Sequence, residues 1–151
     1  MIRPKLIAIV LLLAVVPTAF AANHRVLAYY YYWDKANAIP YNAATIPYKQ
    51  LTHIVHANIS PVPQGDGSIG VPTNFLEPKL IANAHEAGVK VLASVAGPPY
   101  LFAKINADAT LRATFAQNLA NFAIANGYDG IDFDYEVPFD QVEATNFTLM
   151  V

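Results

Sequence analysis

The chain has 151 residues, of which 55% are hydrophobic and 13% charged, with a formal net charge of −2. That balance excludes a disordered, charge-rich chain and gives no basic field to attract nucleic acid. There is no cysteine, which excludes a disulfide framework and a thiolate metal site.

Arg3 and Lys5 form a short positive segment, Leu6 to Val16 is an uninterrupted apolar run, and Pro17 ends it. Ala19-Phe20-Ala21 then places small residues at the −3 and −1 positions of a cleavage site. This is the layout of a secretory signal peptide over residues 1–21. The run is short for a membrane span, which needs about 20 residues. The expected product begins at Ala22, is secreted or periplasmic, and has no membrane attachment after cleavage. Removing the leader deletes two cations and no acid, so the remainder is more acidic than the whole.

Arg25 to Trp33, rich in Val, Leu and Tyr, predicts a first strand. A polar, proline-containing connection runs to Pro47, and Leu51 to Ile59 predicts a second strand stopped by Ser60-Pro61-Val62-Pro63. Gln64 to Pro72 holds three glycines and predicts a loop. Asn74 to Ala87 carries Leu76, Leu80, Ile81, Ala84 and Ala87 at helical spacing, with Pro78 tolerable only in the first turn and Gly88 at the C-terminal glycine position. Lys90 to Val95 predicts a third strand, stopped by Pro98-Pro99. Asp108 is placed to cap a helix whose stripe is Leu111, Phe115, Leu119 and Phe122, closed by Gly127. Gly130 to Val137 predicts a fourth strand, ended by Pro138, and the chain stops at Val151 where a further helix begins.

Strands separated by helices imply parallel βαβ units. Four strands at this pace fit the first four units of a (β/α)₈ TIM barrel, which needs about 250 residues, so the chain reads as truncated. A small doubly wound sheet is the alternative.

The most informative stretch is Asp129 to Glu136. In a strand, residues two apart share a face, so Asp132, Asp134 and Glu136 line one side and Ile131, Phe133 and Tyr135 the other. Successive acids then lie roughly 6–7 Å apart along the backbone. At that range they resist joint ionisation, which favours a retained proton suited to general acid catalysis. A calcium or magnesium site and a solvated strand face are the competing readings. EF-hand spacing is absent, and the residues between the acids form strands rather than turns. His53 and His56 fall on opposite faces of their strand, which argues against a shared zinc. Asn58-Ile59-Ser60 and Asn146-Phe147-Thr148 fit the glycosylation sequon, the first discounted because Asn58 is in a strand and proline follows Ser60.

Asp129 to Glu136 resembles the D-G-x-D-x-D-x-E signature of glycoside hydrolase family 18, the chitinases and endo-β-N-acetylglucosaminidases, at every fixed position. Tyr29 to Trp33 is similar to the family's Y-x-x-x-W, Leu51 to Ile54 to its L-T-H-I, and Ser94 to Gly97 to its S-x-G-G. The chain departs from the pattern at Ala96, at Pro98 where many members carry tryptophan, and at Asn58 where an aromatic residue is frequent. The resemblance implies about the first half of the barrel, cofactor-free and metal-free hydrolysis of chitin or N-acetylglucosamine oligosaccharides, and retention of configuration by a substrate-assisted route. It implies Glu136 as the acid, Asp134 as the group that orients the substrate acetamide, and Asp132 as the partner sharing a proton with Asp134. Asp129 would be structural, Tyr29 the floor of the cleavage subsite and Trp33 a sugar platform. A chitin-binding lectin on the same fold and an endoglycosidase acting on N-glycan cores are the alternatives.

Overall fold

The computed structural model describes residues 24–33, 42–136, 138 and 140–151. The predicted leader over residues 1–21 lies outside the described residues, as does Val137 at the end of the predicted fourth strand. Four parallel strands, β1 (Leu27–Tyr31), β2 (His53–Pro61), β4 (Lys90–Ala96) and β5 (Gly130–Asp134), lie side by side in that order. A two-residue strand, β3 (Ile69–Gly70), pairs antiparallel with the end of β2. The helices are α1 (Pro78–Glu86), α2 (Pro99–Ala107), α3 (Ala109–Asn126) and α4 (Gln141–Thr148).

Local chemistry sets the element boundaries. Glu77 is extended at φ −138° and Pro78 takes the first helical position. The residue before a proline is pushed out of the helical region, so α1 starts four residues later than the predicted Asn74. Phe75, freed from the helix, is fully buried instead. Pro98-Pro99 ends β4 as expected, but Pro99 also opens α2, which the sequence reading left out. A proline in the first turn loses no intrahelical hydrogen bond, and Leu101, Phe102 and Ile105 are buried beneath it. The Asp108 carboxylate accepts from the Thr110 and Leu111 amides and caps α3, while Gly127 closes it at φ +77°. The Leu111 and Thr110 amides hold that carboxyl below its usual range. The glycine-rich loop is not wholly irregular: Gly65 and Gly67 turn at φ +58° and +87°, and the chain folds back to form β3. A side chain at Gly67 would also meet Thr114 at 3.0 Å.

The outer face of the sheet carries the core. Register places Tyr30, His56, Ala93 and Ile131 side by side on that face. His56 stacks on Phe75 with centroids 4.1 Å apart, and its Nδ1 is 2.9 Å from the Tyr128 hydroxyl. Burial, reinforced by the Glu77 charge, pushes the Tyr128 hydroxyl upward. Under β5, Tyr135 stacks on Phe102 at 4.8 Å, and Phe133 and Tyr135 both meet Phe147 of α4.

The opposite face is concave. The Tyr29 hydroxyl of β1 lies 3.5 Å from Asp132 Oδ2 of β5, with β2 and β4 between them. In a flat sheet those outer strands would be about 14 Å apart, three spacings of roughly 4.8 Å. Direct contact requires the four strands to curl into an arc, as strands of a closing barrel do. His53 and His56 point to opposite faces, His56 buried outward and His53 held at the strand's start, where its Nδ1 lies 2.9 Å from Thr52 Oγ1.

Candidate active site

The carboxylate row lies along β5, at one side of the arc. Asp132 pairs in register with Ser94 of β4, and Asp134 with Ala96. Ser94 is fully buried, and its Oγ donates to Asp132 Oδ2 at 2.8 Å. The Tyr29 hydroxyl approaches the same oxygen from across the arc. Three strands therefore converge on one half-buried carboxylate. Burial, followed by the Asp132 and Asp134 charges, pushes the Tyr29 hydroxyl above its ordinary value. Asp134, two residues after Asp132 in the same strand, shares its face.

Asp134 is the last residue of β5 and is exposed. Glu136 lies two residues past the strand, also exposed, whereas the sequence predicts a strand to Val137. The strand stops early because β4, its only partner among the described residues, itself ends at Ala96. Tyr135, between the two acids, is turned into the core against Phe102. Alternation therefore outlasts the ladder. Glu136 is exposed at the C-terminal rim, the end where sites of parallel α/β folds are built.

Trp33 is half exposed. It packs on Tyr31 at 4.7 Å and on Tyr32 at 5.1 Å. Ser94 is the residue that sequence reasoning quoted within a motif but did not count in the site. Its signal was the serine opening Ser94-Val95-Ala96-Gly97, and only the register with Asp132 reveals its partner. Gly97 is needed sterically, because a Cβ there would meet Pro61 Cδ at 3.0 Å. Asp129 sits at the other end of β5, away from the rim. Its carboxylate accepts from the Val91 amide at 2.8 Å and from Lys90 Nζ at 2.7 Å, and lies 2.8 Å from His85 Nε2. Partial burial pushes this carboxyl up, but the Lys90 ammonium, the Val91 amide and the His85 ring outweigh it and hold it at about 2. A cavity of about 400 Å³ runs along the open edge of β1, between Tyr30, Ile46, Pro47 and Leu51, and does not lie over the acids.

A concave parallel sheet with carboxylates rising to its C-terminal rim can hold a polar chain and deliver a proton to it. The family described as glycosyl hydrolases family 18 matches residues 25–151. Nod factor hydrolase protein 1 of Medicago truncatula is 31% identical over 117 residues, covering 71% of this chain and 30% of the relative. A doubly substituted family 18 chitinase from Cycas revoluta, crystallised with (GlcNAc)4, superposes with a TM-score of 0.70 at 23% identity, over 82% of this chain and 37% of that one. A chitinase-like agglutinin from Robinia pseudoacacia does so with a TM-score of 0.70 at 20% identity, over 83% and 38%. At these identities the structural matches speak for the fold, the TIM barrel of the chitinases, of which this chain spans a part.

Proposed function

The chain belongs to glycosyl hydrolases family 18, and from that premise we propose that the protein is a secreted glycosidase cleaving β-1,4-linked N-acetylglucosamine polymers with retention of configuration. The observation that carries this reading is the convergence of Tyr29 and Ser94 on Asp132, with Asp134 and Glu136 next along the chain at the rim. The chain spans only 30% of its Medicago relative, so activity is assigned to the whole protein.

In the proposed mechanism the Glu136 carboxyl gives its proton to the glycosidic oxygen and the C1–O bond breaks. The carbonyl oxygen of the substrate's 2-acetamido group attacks C1, forming an oxazolinium ring. Asp134 orients the acetamide and balances the positive charge on it. Asp132, held by Ser94 and Tyr29, shares a proton with Asp134. Water then adds to C1, losing its proton to Glu136, and the acetamide is regenerated with the original anomeric configuration. Export follows from the leader over residues 1–21.

Glu136→Gln keeps the shape and removes the transferable proton. In the intact protein it should lower turnover of chito-oligosaccharides by about 10²–10⁴-fold while leaving binding in place. Near wild-type turnover would refute the assignment of the acid. An inverted product anomer, read by NMR, would exclude the acetamide route. The match to an agglutinin favours a second reading, a chitin-binding lectin. Under it the wild-type protein binds the oligosaccharide without hydrolysing it.

A further inference from the structure

β2 is bulged where it crosses the arc. His56 pairs with Ala93 and Ile59 with Val95, so two residues of β2, Ala57 and Asn58, stand opposite the single residue Ser94 of β4. His56, Ile59, Ala93 and Val95 are all fully buried, on the outer face that carries the core. Ser94 alternates to the concave face, where it holds Asp132. In a regular strand the second residue after His56 would turn outward again. The extra residue moves that outward turn to Ile59 and leaves Ala57 and Asn58 together on the concave side, with Ser94. Ala57 is buried beside Tyr31 in register, whereas Asn58 is only partly buried. A carboxamide offers two N–H donors and an accepting oxygen. The Asn58 Nδ2 donates to the carbonyl of the next residue, Ile59, at 3.3 Å. Among the described residues nothing donates to its Oδ1. An accepting oxygen is thus set in the cleft floor, one strand from Ser94 and two from Asp132.

We propose that Asn58 is a specificity residue of the cleft, its Oδ1 accepting a hydrogen bond from a hydroxyl of the sugar that lies over Ser94 and Asp132. This inference rests on the glycosidase reading of the same site. Asn58 is a position at which the chain departs from the family pattern, an amide standing where an aromatic residue is frequent. The contact is therefore a property of this chain. Ligand clefts fix orientation through a few placed polar groups, and a pyranose offers hydroxyls around its whole edge. An acceptor covered by a ligand without a donor is penalised. A polar floor of this kind thus discriminates against a ligand with an apolar edge at that point.

The test is calorimetric titration of the intact protein with the N-acetylglucosamine tetramer at neutral pH. Asn58→Asp and Asn58→Leu both keep the shape of the side chain and both lose the donor to Ile59. Only Asn58→Asp keeps an accepting oxygen. Asn58→Leu should weaken binding by about two- to tenfold, the range of one neutral hydrogen bond, while Asn58→Asp stays within about twofold of the wild type. Asn58→Ala, which also lacks the acceptor, should lose as Asn58→Leu does, and takes its place if leucine impairs folding. Equal losses in Asn58→Asp and Asn58→Leu would show that Asn58 acts through its bond to Ile59, by shaping the bulge, and would overturn direct contact. Unchanged or tighter binding by Asn58→Leu and Asn58→Ala would overturn the inference too, as would failure of both to fold. Each of these results leaves the glycosidase reading standing. A wild-type protein that binds no tetramer would sink the glycosidase reading itself.

Discussion

Asp129 shows how a residue of the signature serves the fold at the end remote from the rim. One carboxylate joins the end of α1 through His85, the start of β4 through Lys90 and Val91, and the start of β5. Its proton affinity is lowered in the folded chain, from an ordinary 3.8 to about 2. Unfolded chains therefore bind the proton first on acidification. The stabilisation is fully present above about pH 4 and is lost as pH falls through the folded value near 2. Asp129→Ala leaves the Val91 amide without its acceptor, a loss of about 1–3 kcal/mol. We expect this variant to melt lower at neutral pH and to show a flatter acid limb than the wild type. Melting curves at pH 3 and pH 7 check it; equal limbs would show that Asp129 does not set the acid sensitivity.

At the scale of elements, α3 separates what periodicity determines from what packing determines. Its stripe was readable from spacing alone, yet the four positions are not equivalent. Phe115 and Leu119 are buried, whereas Leu111 and Phe122 only border the core. Phe115 is fully buried and meets Phe102 of α2 at 6.2 Å. Phe115→Ala should cost about 3–5 kcal/mol, since neighbours close such a cavity only in part. Ile124, on the same helix but 79% exposed, should tolerate Ile124→Lys within about 0.5 kcal/mol. Urea denaturation of the two variants makes the comparison, and similar losses would mean that α3 docks by a different face. Proline sets both helix starts: Pro78, expected within the first turn, is the first helical residue of α1, and Pro99, expected only to stop β4, also opens α2, because the fixed φ of the ring suits a first turn.

For the whole molecule, the arc is open on both sides among the described residues. β1 pairs with β2 alone and β5 with β4 alone. Leu27, Tyr29, Tyr31 and Trp33 are exposed on or next to β1. Unpaired strand edges flanked by apolar side chains recruit further strands. Residues 22–151 produced alone should therefore associate, visible as scattering well above the monomer mass, and should not hydrolyse a chromogenic chitobioside. Cooperative unfolding as a monomer, with turnover, would show instead that the arc is self-sufficient. Export is testable on the intact protein. N-terminal sequencing of the secreted product should begin at Ala22, and a membrane-bound product retaining Met1 would refute the leader.

Sequence alone determined which residues alternate and which recur. Alternation put Asp132 and Asp134 on one face and Phe133 on the other, and helical periodicity with its cap defined α3, because both depend on backbone geometry within one segment. The family resemblance rested on the same short segments. What only the tertiary structure decided is which segments meet. The hydrogen bonds of Ser94 and Tyr29 to Asp132 bridge residues 38 and 103 positions apart. The exposure of Tyr31 beside a buried Tyr30 likewise depends on which face the helices cover. Such contacts follow from the curl and register of four strands, and no local pattern encodes the distance across a curved sheet.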